Sequence, residues 1–291
     1  MKVYISIPLT GLEGDARNYV LLLAENVKEV CESLGFEVYL PYKRYDPKLN
    51  PRASPAEVFL GDLKALSEAD LVIVYLGKKS HGVGIEYQVA FEWAKPIIAL
   101  VEKGVGVTRI LLGEPARRLI IEFTPDNIGS LKIELFNILE GMKPELLRQR
   151  PFNHEIRAQL RGIGEKIRKL RERQGMSRKD LEELTGVPED HIKYIEEMAD
   201  VVNPSLPVLS RIAKALGTSS EFIVSPNFAP DDLSDFEIVR DVRSFAHENN
   251  IPYREYEELL AVCLLMSRQG GSEGRLKRED IAKIYHRMKG C

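Results

Sequence analysis

The sequence predicts an α/β fold at its N-terminal end, with a doubly wound, parallel five-stranded sheet of the Rossmann-like type, followed by all-α regions. One observation is a series of β-branched runs at residues 2–7, 36–41, 71–76, 96–101 and 118–123. Another is that helical patterns separate them, at residues 15–35, 55–69 and 85–94, and that a pattern at 126–141 ends the series. This alternation predicts right-handed crossovers and a sheet covered by helices on both faces. Ligands bind such sheets beyond the carboxyl ends of the strands.

The length of 291 residues suggests two or three domains. We predict an α/β domain at residues 1–143, a linker at 144–156, an all-α domain at 157–226 and a helical C-terminal region at 227–291. The linker is predicted because residues 142–155 contain two prolines and no sustained apolar face. The C-terminal region carries no chemical motif that we recognise.

Composition gives no global argument for nucleic acid or membrane, because the formal charge is −3 and 29% of the residues are charged. The N-terminus lacks the apolar segment of a signal peptide, and no apolar run is long enough for a membrane span. We therefore expect a cytoplasmic protein with no membrane partner. Cys31, Cys263 and Cys291 are too widely spaced for a disulfide framework or a metal site, and we expect neither a metal nor a cofactor.

Residues 77–93 contain the first candidate site. Gly82 and Gly84 are predicted to bracket the turn from the third strand to the third helix, where backbone amides are unpaired and the helix dipole is positive. Together with the hydroxyl of Ser80, this turn is suited to holding a 5'-phosphate. Glu86 is predicted in the first turn of the helix, where it is either a favourable partner of the dipole or a functional carboxylate.

Four motifs support the functional interpretation: YISIPLTG at 4–11, DLKALSEADLVIVYL at 62–76, SHGVGIEYQVA at 80–90 and KPIIAL at 95–100. Over residues 1 to about 125 they resemble the nucleoside 2-deoxyribosyltransferase family, and most closely its branch of 2'-deoxynucleoside 5'-phosphate N-hydrolases. The resemblance implies that Glu86 is the nucleophile on the anomeric carbon and that Asp62 and Tyr4 belong to the catalytic cluster. It also implies that Ser80 binds the phosphate.

The implied roles fit the chemistry of N-glycosidic cleavage. Breaking this bond builds positive charge on the sugar, which a carboxylate such as Glu86 can attack or stabilise. Asp62 can position that glutamate or manage the proton that the leaving base needs. Each residue also has a plain structural interpretation, with Asp62 as an exposed helix residue, Tyr4 as a packed aromatic and Ser80 as a turn residue. Their combination favours a site.

The sequence departs from the family at two positions of the predicted substrate-binding set. Ile7 stands where the family usually has glycine, and a branched side chain there crowds the approach of base and sugar. Thr10 stands where the hydrolase branch has a basic residue, and the missing cation weakens phosphate binding. Substrate identity and turnover therefore stay open.

The second domain begins in a basic stretch, since residues 148–179 contain eleven basic and three acidic side chains. Ser177 is predicted to cap a helix at 178–184, Gly186 to provide a tight turn, and Pro188 to open the next helix at its first position. Residues 163–224 resemble the Cro and phage-repressor-like helix-turn-helix family.

By this resemblance, the recognition helix starts at residues 188–194 and directs its side chains to the major groove of DNA. These side chains are Glu189, Asp190, His191, Lys193 and Tyr194. Arg178 and Lys179 are expected to contact phosphates. Two acids in a recognition helix are unusual, although a carboxylate accepts a hydrogen bond from cytosine N4. A helix-turn-helix that mediates only protein contact is the alternative.

We predict a DNA-binding transcriptional regulator whose α/β domain senses a nucleoside or nucleotide. A homodimer is expected, because repressor-type domains generally bind two half-sites. The alternative is an active N-glycosidase or deoxyribosyltransferase that uses Glu86, in which the helix-turn-helix serves assembly.

Overall fold

The computed structural model describes residues 1–46, 48–115, 118–225, 238, 241–242, 244–246, 248–249, 251–269 and 276–289. It divides into two compact units, Met1–Glu155 and Ile156–Cys291. The strands of the first unit are β1 (Lys2–Ser6), β2 (Glu37–Tyr39), β3 (Leu71–Tyr75), β4 (Ile97–Glu102) and β5 (Arg118–Phe123). All neighbouring strands are parallel, in the order β2-β1-β3-β4-β5. The predicted fold class is confirmed.

The helices of the first unit are α1 (Gly14–Ser33), α2 (Pro41–Tyr45), α3 (Pro55–Glu68), α4 (His81–Glu92), α5 (Arg109–Gly113) and α6 (Ile128–Arg173), and a 3-10 turn, Pro125–Asn127, precedes α6. The sequence predicted α1, α3, α4 and the start of α6. It did not predict α2 and α5, because five residues are too few to show a helical period.

Two apolar layers cover the sheet. Val3 and Ile5 of β1 pack against α1 and α6 on one face. Tyr4, which alternates with them, points to the opposite face, where α3 and α4 lie. The chain runs from β1 to β2 on one side and then returns to β3 on the other side of β1. This reversal is the switch point at which doubly wound sheets form their ligand crevice.

Residues 144–156, which were expected to form a linker, are helical and lie within α6. Pro144 and Pro151 are both inside this helix, and each removes a backbone donor. The helix nevertheless continues on both sides of them, because Leu139 and Leu146 are buried in the core of the first unit and Ile163 in the core of the second. The domain boundaries at 143, 156 and 226 stay predictions.

The second unit contains the end of α6, followed by α7 (Arg178–Thr185), α8 (Glu189–Val202), α9 (Leu206–Ala215) and α10 (Ser220–Val224). Leu181, Ile192 and Ile212 meet at the centre of this bundle. Gly164 of α6 lies so close to α8 that an added Cβ would overlap the carbonyl oxygens of Ile195 and Glu196. The end of α6 therefore belongs to the same small bundle.

Two further helices, α11 (Tyr253–Gln269) and α12 (Arg278–Met288), pack around Leu259, Cys263 and Ile281. Cys31 and Cys263 are buried free thiols, and Cys291 lies outside the described residues. Within the described parts of the chain, no helix combines the length and the apolar character that a membrane crossing requires.

Candidate functional site

The carboxyl ends of β1 and β2 present three polar side chains on the face covered by α3 and α4. Tyr4 and Tyr39 are register partners in the two strands, and their rings stack with centroids 5.4 Å apart. Ser6, two residues after Tyr4, faces the same side and is completely buried. The parallel register thus brings two phenols and a hydroxyl to one end of the sheet.

Helix α4 begins earlier than the sequence suggested. Ser80 is its N-cap, and the Ser80 Oγ accepts a hydrogen bond from the backbone N–H of Val83 at 3.4 Å. Gly82 and Gly84 therefore lie in the first turn of the helix and do not bracket the turn before it. Serine is a strong N-cap, which outweighs the low helix propensity of the two glycines. The backbone amides of Val83 and Gly84 both bond to Ser80, so the amides that precede them in the first turn remain available to an anion.

Glu86 accordingly lies in the second turn of α4 and not in the first, because α4 starts at His81. A side chain on a helix leans toward the N-terminal end, and here Glu86 reaches β1, where the Ser6 Oγ donates a hydrogen bond to Glu86 Oε2. Burial raises the pKa of Glu86 to about 7, and the nearby Asp62 acts in the same direction. No lysine, arginine or histidine forms an ion pair with Glu86 within the described residues.

The hydroxyl of Tyr4 is buried beside this carboxyl group and has no hydrogen-bond partner among the described residues. Burial first, and then the charges of Glu86 and Asp62, raise the pKa of Tyr4 well above its ordinary value. The phenol therefore stays protonated at every physiological pH. A neutral hydrogen-bond donor, the Tyr4 hydroxyl, therefore lies near the carboxyl groups of Glu86 and Asp62.

Asp62 on α3 is half-buried and joins the same cluster, which excludes its interpretation as a plain exposed helix residue. The Tyr39 hydroxyl donates a hydrogen bond to Asp62 Oδ1 at 3.2 Å. Burial raises the pKa of Asp62 to about 6, although the Tyr39 hydrogen bond and the positive charge of Arg44 oppose this shift. Asp62 and Glu86 interact, so their pKa values describe the pair, which holds about one proton between roughly pH 6 and 7.

In the second unit, α7 is capped as predicted. The Ser177 Oγ accepts from the N–H of Asp180, the Asp180 carboxylate accepts from Ser177 in return, and Gly186 adopts the left-handed conformation at φ 68°. Pro188 differs slightly from expectation, because its extended ψ of 143° makes it the N-cap of α8 and Glu189 the first helical residue.

A buried ion cluster joins α6, α7 and α8. Arg171 donates to both carboxylate oxygens of Glu196, at 2.6 and 3.0 Å, and Arg178 donates to Glu196 Oε2 at 2.9 Å. The Glu196 side chain is fully buried, at 0% exposure. Arg178 also pairs with Glu197 at 2.8 Å. Arg178 was expected to contact DNA phosphates, but its guanidinium is occupied by these two carboxylates.

Of the other residues expected at DNA, Lys179 lies in the first turn of α7 and the remaining five lie in the first two turns of α8. Lys179, Glu189, Asp190 and Lys193 are exposed, whereas His191 and Tyr194 are half-buried. The four exposed side chains make no ion pair within the described residues, so two cations and two anions are presented together.

A helix-turn-helix family profile matches residues 167–223, which extend from the end of α6 to α10. For the first unit, a curated protein of Thermofilum pendens (strain DSM 2475 / Hrk 5), called "Putative 2'-deoxynucleoside 5'-phosphate N-hydrolase 1", is 32% identical over 101 residues. This match covers 34% of the present chain and 67% of the relative. The chain belongs to the 2'-deoxynucleoside 5'-phosphate N-hydrolase family.

We call Met1–Glu155 the N-hydrolase unit, since the match is to this part of the sequence. The solved structure of Clostridium botulinum CMP N-glycosidase, BcmB, is similar at 21% identity with a TM-score of 0.37, covering 47% of this chain and 99% of that chain. By the family profile and the curated relative, the protein combines an N-hydrolase-like unit with a helix-turn-helix DNA-binding domain.

Within the N-hydrolase unit, the two departures from the family do not lie beside Glu86. Ile7 is partly buried and packs with the cluster of Val3 and Ile5, on the face of the sheet opposite to the Glu86 contact of Ser6. Thr10 is exposed in the following loop. The branched side chain of Ile7 therefore packs in the core and leaves the carboxylate cluster uncrowded.

Ser6, Tyr39 and Arg44 were missed in the sequence of the N-hydrolase unit. Ser6 carried a readable signal, because it is a polar residue at the carboxyl end of an otherwise buried run. Tyr39 could be found only with the register that pairs it with Tyr4. Arg44 lies in the unpredicted helix α2, and its approach to Asp62 depends on tertiary packing.

Proposed function

We propose that the N-hydrolase unit binds a 2'-deoxynucleoside 5'-monophosphate and hydrolyses its N-glycosidic bond. The cluster of Glu86, Asp62, Tyr4 and Ser6 at the carboxyl end of β1 supports this most strongly. Placing two carboxyl groups together in a partly dry site costs folding free energy and raises their pKa values. Such pairs serve glycosidic cleavage, which needs one carboxylate and one carboxylic acid.

The roles follow from the geometry. The Glu86 carboxylate attacks C1' of the sugar, the C1'–N bond breaks with its electron pair moving to the base, and Asp62 gives the base a proton. Water then attacks C1', Asp62 takes its proton, and 2-deoxyribose 5-phosphate leaves Glu86. Ser6 holds the Glu86 carboxylate in place by donating to it, and the unpartnered Tyr4 hydroxyl beside it is available to donate to the charged carboxylate during the reaction. Ser80 and the free amides at the start of α4, including that of Gly82, bind the 5'-phosphate.

Incubation with a panel of deoxynucleoside monophosphates tests this proposal. We expect release of free base and a pH profile of kcat/KM that peaks between about pH 6 and 7, because the pair then holds about one proton and the active form is the fraction in which this proton lies on Asp62. Asp62→Asn removes the proton donor and should lower kcat/KM across the whole pH range. Absence of base release from every nucleotide contradicts the proposal, and appearance of a new nucleoside with added free base indicates transfer.

We further propose that the chain is a nucleotide-responsive transcriptional regulator that binds DNA as a homodimer, with the N-hydrolase unit as its sensor. The observation that favours this second function is the pair of exposed cations on the helix-turn-helix, Lys179 on α7 and Lys193 on α8. Both are free of ion pairs in the described part of the chain and can neutralise phosphates. The cytoplasmic location stays a prediction.

Mobility-shift titration with genomic fragments over a range of salt concentrations tests DNA binding. Replacing Lys179 and Lys193 together by glutamine should weaken binding and reduce the slope of log K against log salt by about 2, roughly one for each lost phosphate contact. Lys28→Gln, on α1 of the other unit, is the matched control and should leave both unchanged. No specific shift, with or without deoxynucleotide, contradicts the regulator.

A further inference from the structure

The segment that follows β2 and contains α2 is firmly anchored. The Tyr42 hydroxyl donates to Glu25 of α1, and Lys43 forms an ion pair with the same carboxylate at 2.8 Å. Arg17 of α1 forms a buried ion pair with Asp46. Because these contacts lie on both sides of residue 44, the backbone there is held in one position.

Unlike Lys43, Arg44 forms no ion pair within the described residues. Its guanidinium lies over the ring of Tyr45, 5.4 Å from the centroid. The Tyr45 ring in turn packs on Gly61, where an added Cβ would overlap it, and Gly61 directly precedes Asp62 on α3. Arg44 is thereby held at the Asp62 end of the cluster, and its charge lowers the pKa of both Asp62 and Tyr39.

The strand order indicates which part of a bound nucleotide would face Arg44. The N-terminus of α4 follows β3, Glu86 meets β1 through Ser6, and Asp62 meets β2 through Tyr39. Neighbouring strands are about 4.8 Å apart, so β2 and β3 are separated by roughly 10 Å, with β1 between them. A nucleotide with its phosphate at α4 and its C1' at Glu86 therefore directs its base toward β2 and Arg44.

We propose that Arg44 binds a carbonyl oxygen of the nucleobase and makes the oxo-bases guanine, cytosine and thymine better substrates than adenine. This inference rests on the proposed function, since the orientation of the nucleotide follows from it. A guanidinium presents parallel N–H donors, which match the adjacent acceptors O6 and N7 of guanine or O2 and N3 of cytosine. Adenine has no carbonyl oxygen, and its amino group places a donor beside N1 and N7.

The same contact assists bond cleavage. When the C1'–N bond breaks, its electron pair delocalises from the base nitrogen onto the carbonyl oxygen, where a guanidinium stabilises the developing charge. The base then takes up the proton from Asp62. Adenine has no oxygen to carry this charge and gains nothing from Arg44.

Base release from dGMP, dCMP, dTMP and dAMP, each at the pH optimum of the variant, tests the assignment. Arg44→Gln should lower kcat/KM roughly 10- to 100-fold for the three oxo-bases and by less than about threefold for dAMP. Arg44→Lys keeps the positive charge but lacks the parallel N–H donors of the guanidinium, and it should recover part of the loss in kcat/KM for the oxo-bases. Lys48→Gln, which removes an exposed cation four residues further along the chain, is the matched control and should behave as the wild type.

An equal loss on all four nucleotides overturns the proposal, because Arg44 then acts through Asp62 or through folding. A loss confined to phosphorylated substrates, absent with deoxycytidine, also overturns it and assigns Arg44 to the phosphate. If the wild type releases no base, the hydrolytic function fails. The role of Arg44 in base recognition is then tested by the binding of dCMP and dAMP to Glu86→Gln. A preference for dCMP that disappears in Glu86→Gln/Arg44→Gln supports the proposal, whereas equal affinities or no binding overturn it.

Discussion

Glu86 and Glu196 are two glutamates on helices that lie in very different surroundings. Glu196 is fully buried and receives three hydrogen bonds from two guanidinium groups, those of Arg171 and Arg178. Glu86 receives a hydroxyl hydrogen bond from Ser6 and lies near a second acid, Asp62. One carboxylate is neutralised by its surroundings and the other is not.

From this difference we infer that the charge of Glu196 has a structural role and that the carboxyl group of Glu86 has a chemical one. Two arginines pair with Glu196 and fix α6, α7 and α8 relative to one another, and their three hydrogen bonds use most of the acceptor capacity of the carboxylate. Burial without a cation instead raises the pKa of Glu86 to about 7, so that the group changes its charge near neutral pH. The protein tolerates this cost at the site where we propose that the glycosidic bond is cleaved.

The largest effect is expected for Arg171→Met. Removing this guanidinium leaves Glu196 buried with Arg178 alone, and we expect the unfolding free energy of the helix-turn-helix unit to fall by about 3 kcal/mol. Urea denaturation followed by circular dichroism measures the loss. Arg168→Met, an exposed arginine on the same helix, is the matched control. Equal stability of the two variants would show that the ion cluster is dispensable.

Glu86→Gln should instead stabilise the protein, and only at higher pH. Below about pH 4.5 the carboxyl group is protonated in both folded and unfolded chains, so the variant gains nothing. Between about pH 4.5 and 7 the unfolded chain ionises first, because burial raises the folded-state pKa, and the wild type loses stability relative to the variant. We expect a difference of roughly 2 kcal/mol at pH 8, reduced from the full linkage value by partial exposure. A variant that is less stable at pH 8 than at pH 5, relative to wild type, contradicts a raised pKa.

Tyr4→Phe tests the unpartnered hydroxyl in the Glu86 cluster. Because a buried hydroxyl without a hydrogen bond is destabilising, its removal should leave stability unchanged or raise it by about 1 kcal/mol. Base release should nevertheless fall by about tenfold or more, since the phenol beside Glu86 is available to donate to the charged nucleophile during the reaction. A loss of more than about 1 kcal/mol on thermal unfolding would assign Tyr4 a structural role.

Glu197→Gln gives the smallest effect and sharpens the contrast within the arginine cluster. Glu197 pairs with Arg178 at the surface, with 41% of its side chain exposed. An exposed pair contributes little, so we expect a change below about 0.5 kcal/mol in the same urea experiment. A loss as large as that of Arg171→Met would mean that exposure does not distinguish the two carboxylates.

The sequence was sufficient for the architecture of the sheet, because buried β-branched runs such as LVIVY of β3 alternate with helical periods. Its motifs also pointed to Glu86 and Asp62, whose catalytic roles stay predictions. It missed the Tyr4–Tyr39 stack, which depends on the register between β1 and β2, and the Ser6–Glu86 contact, which depends on how α4 packs against β1. It also missed the contact of Arg178 with Glu196, because nothing local reveals a partner eighteen residues later.

The central claim is that Glu86 is the working carboxylate and that Glu196 is structural, and base release tests it most directly. Wild type, Glu86→Gln and Arg171→Met would be compared on dCMP and dGMP near pH 6.5 and at a temperature at which the N-hydrolase unit of every variant is folded. We predict full activity for Arg171→Met and less than about a thousandth of the wild-type rate for Glu86→Gln. Wild-type activity in Glu86→Gln would contradict the account.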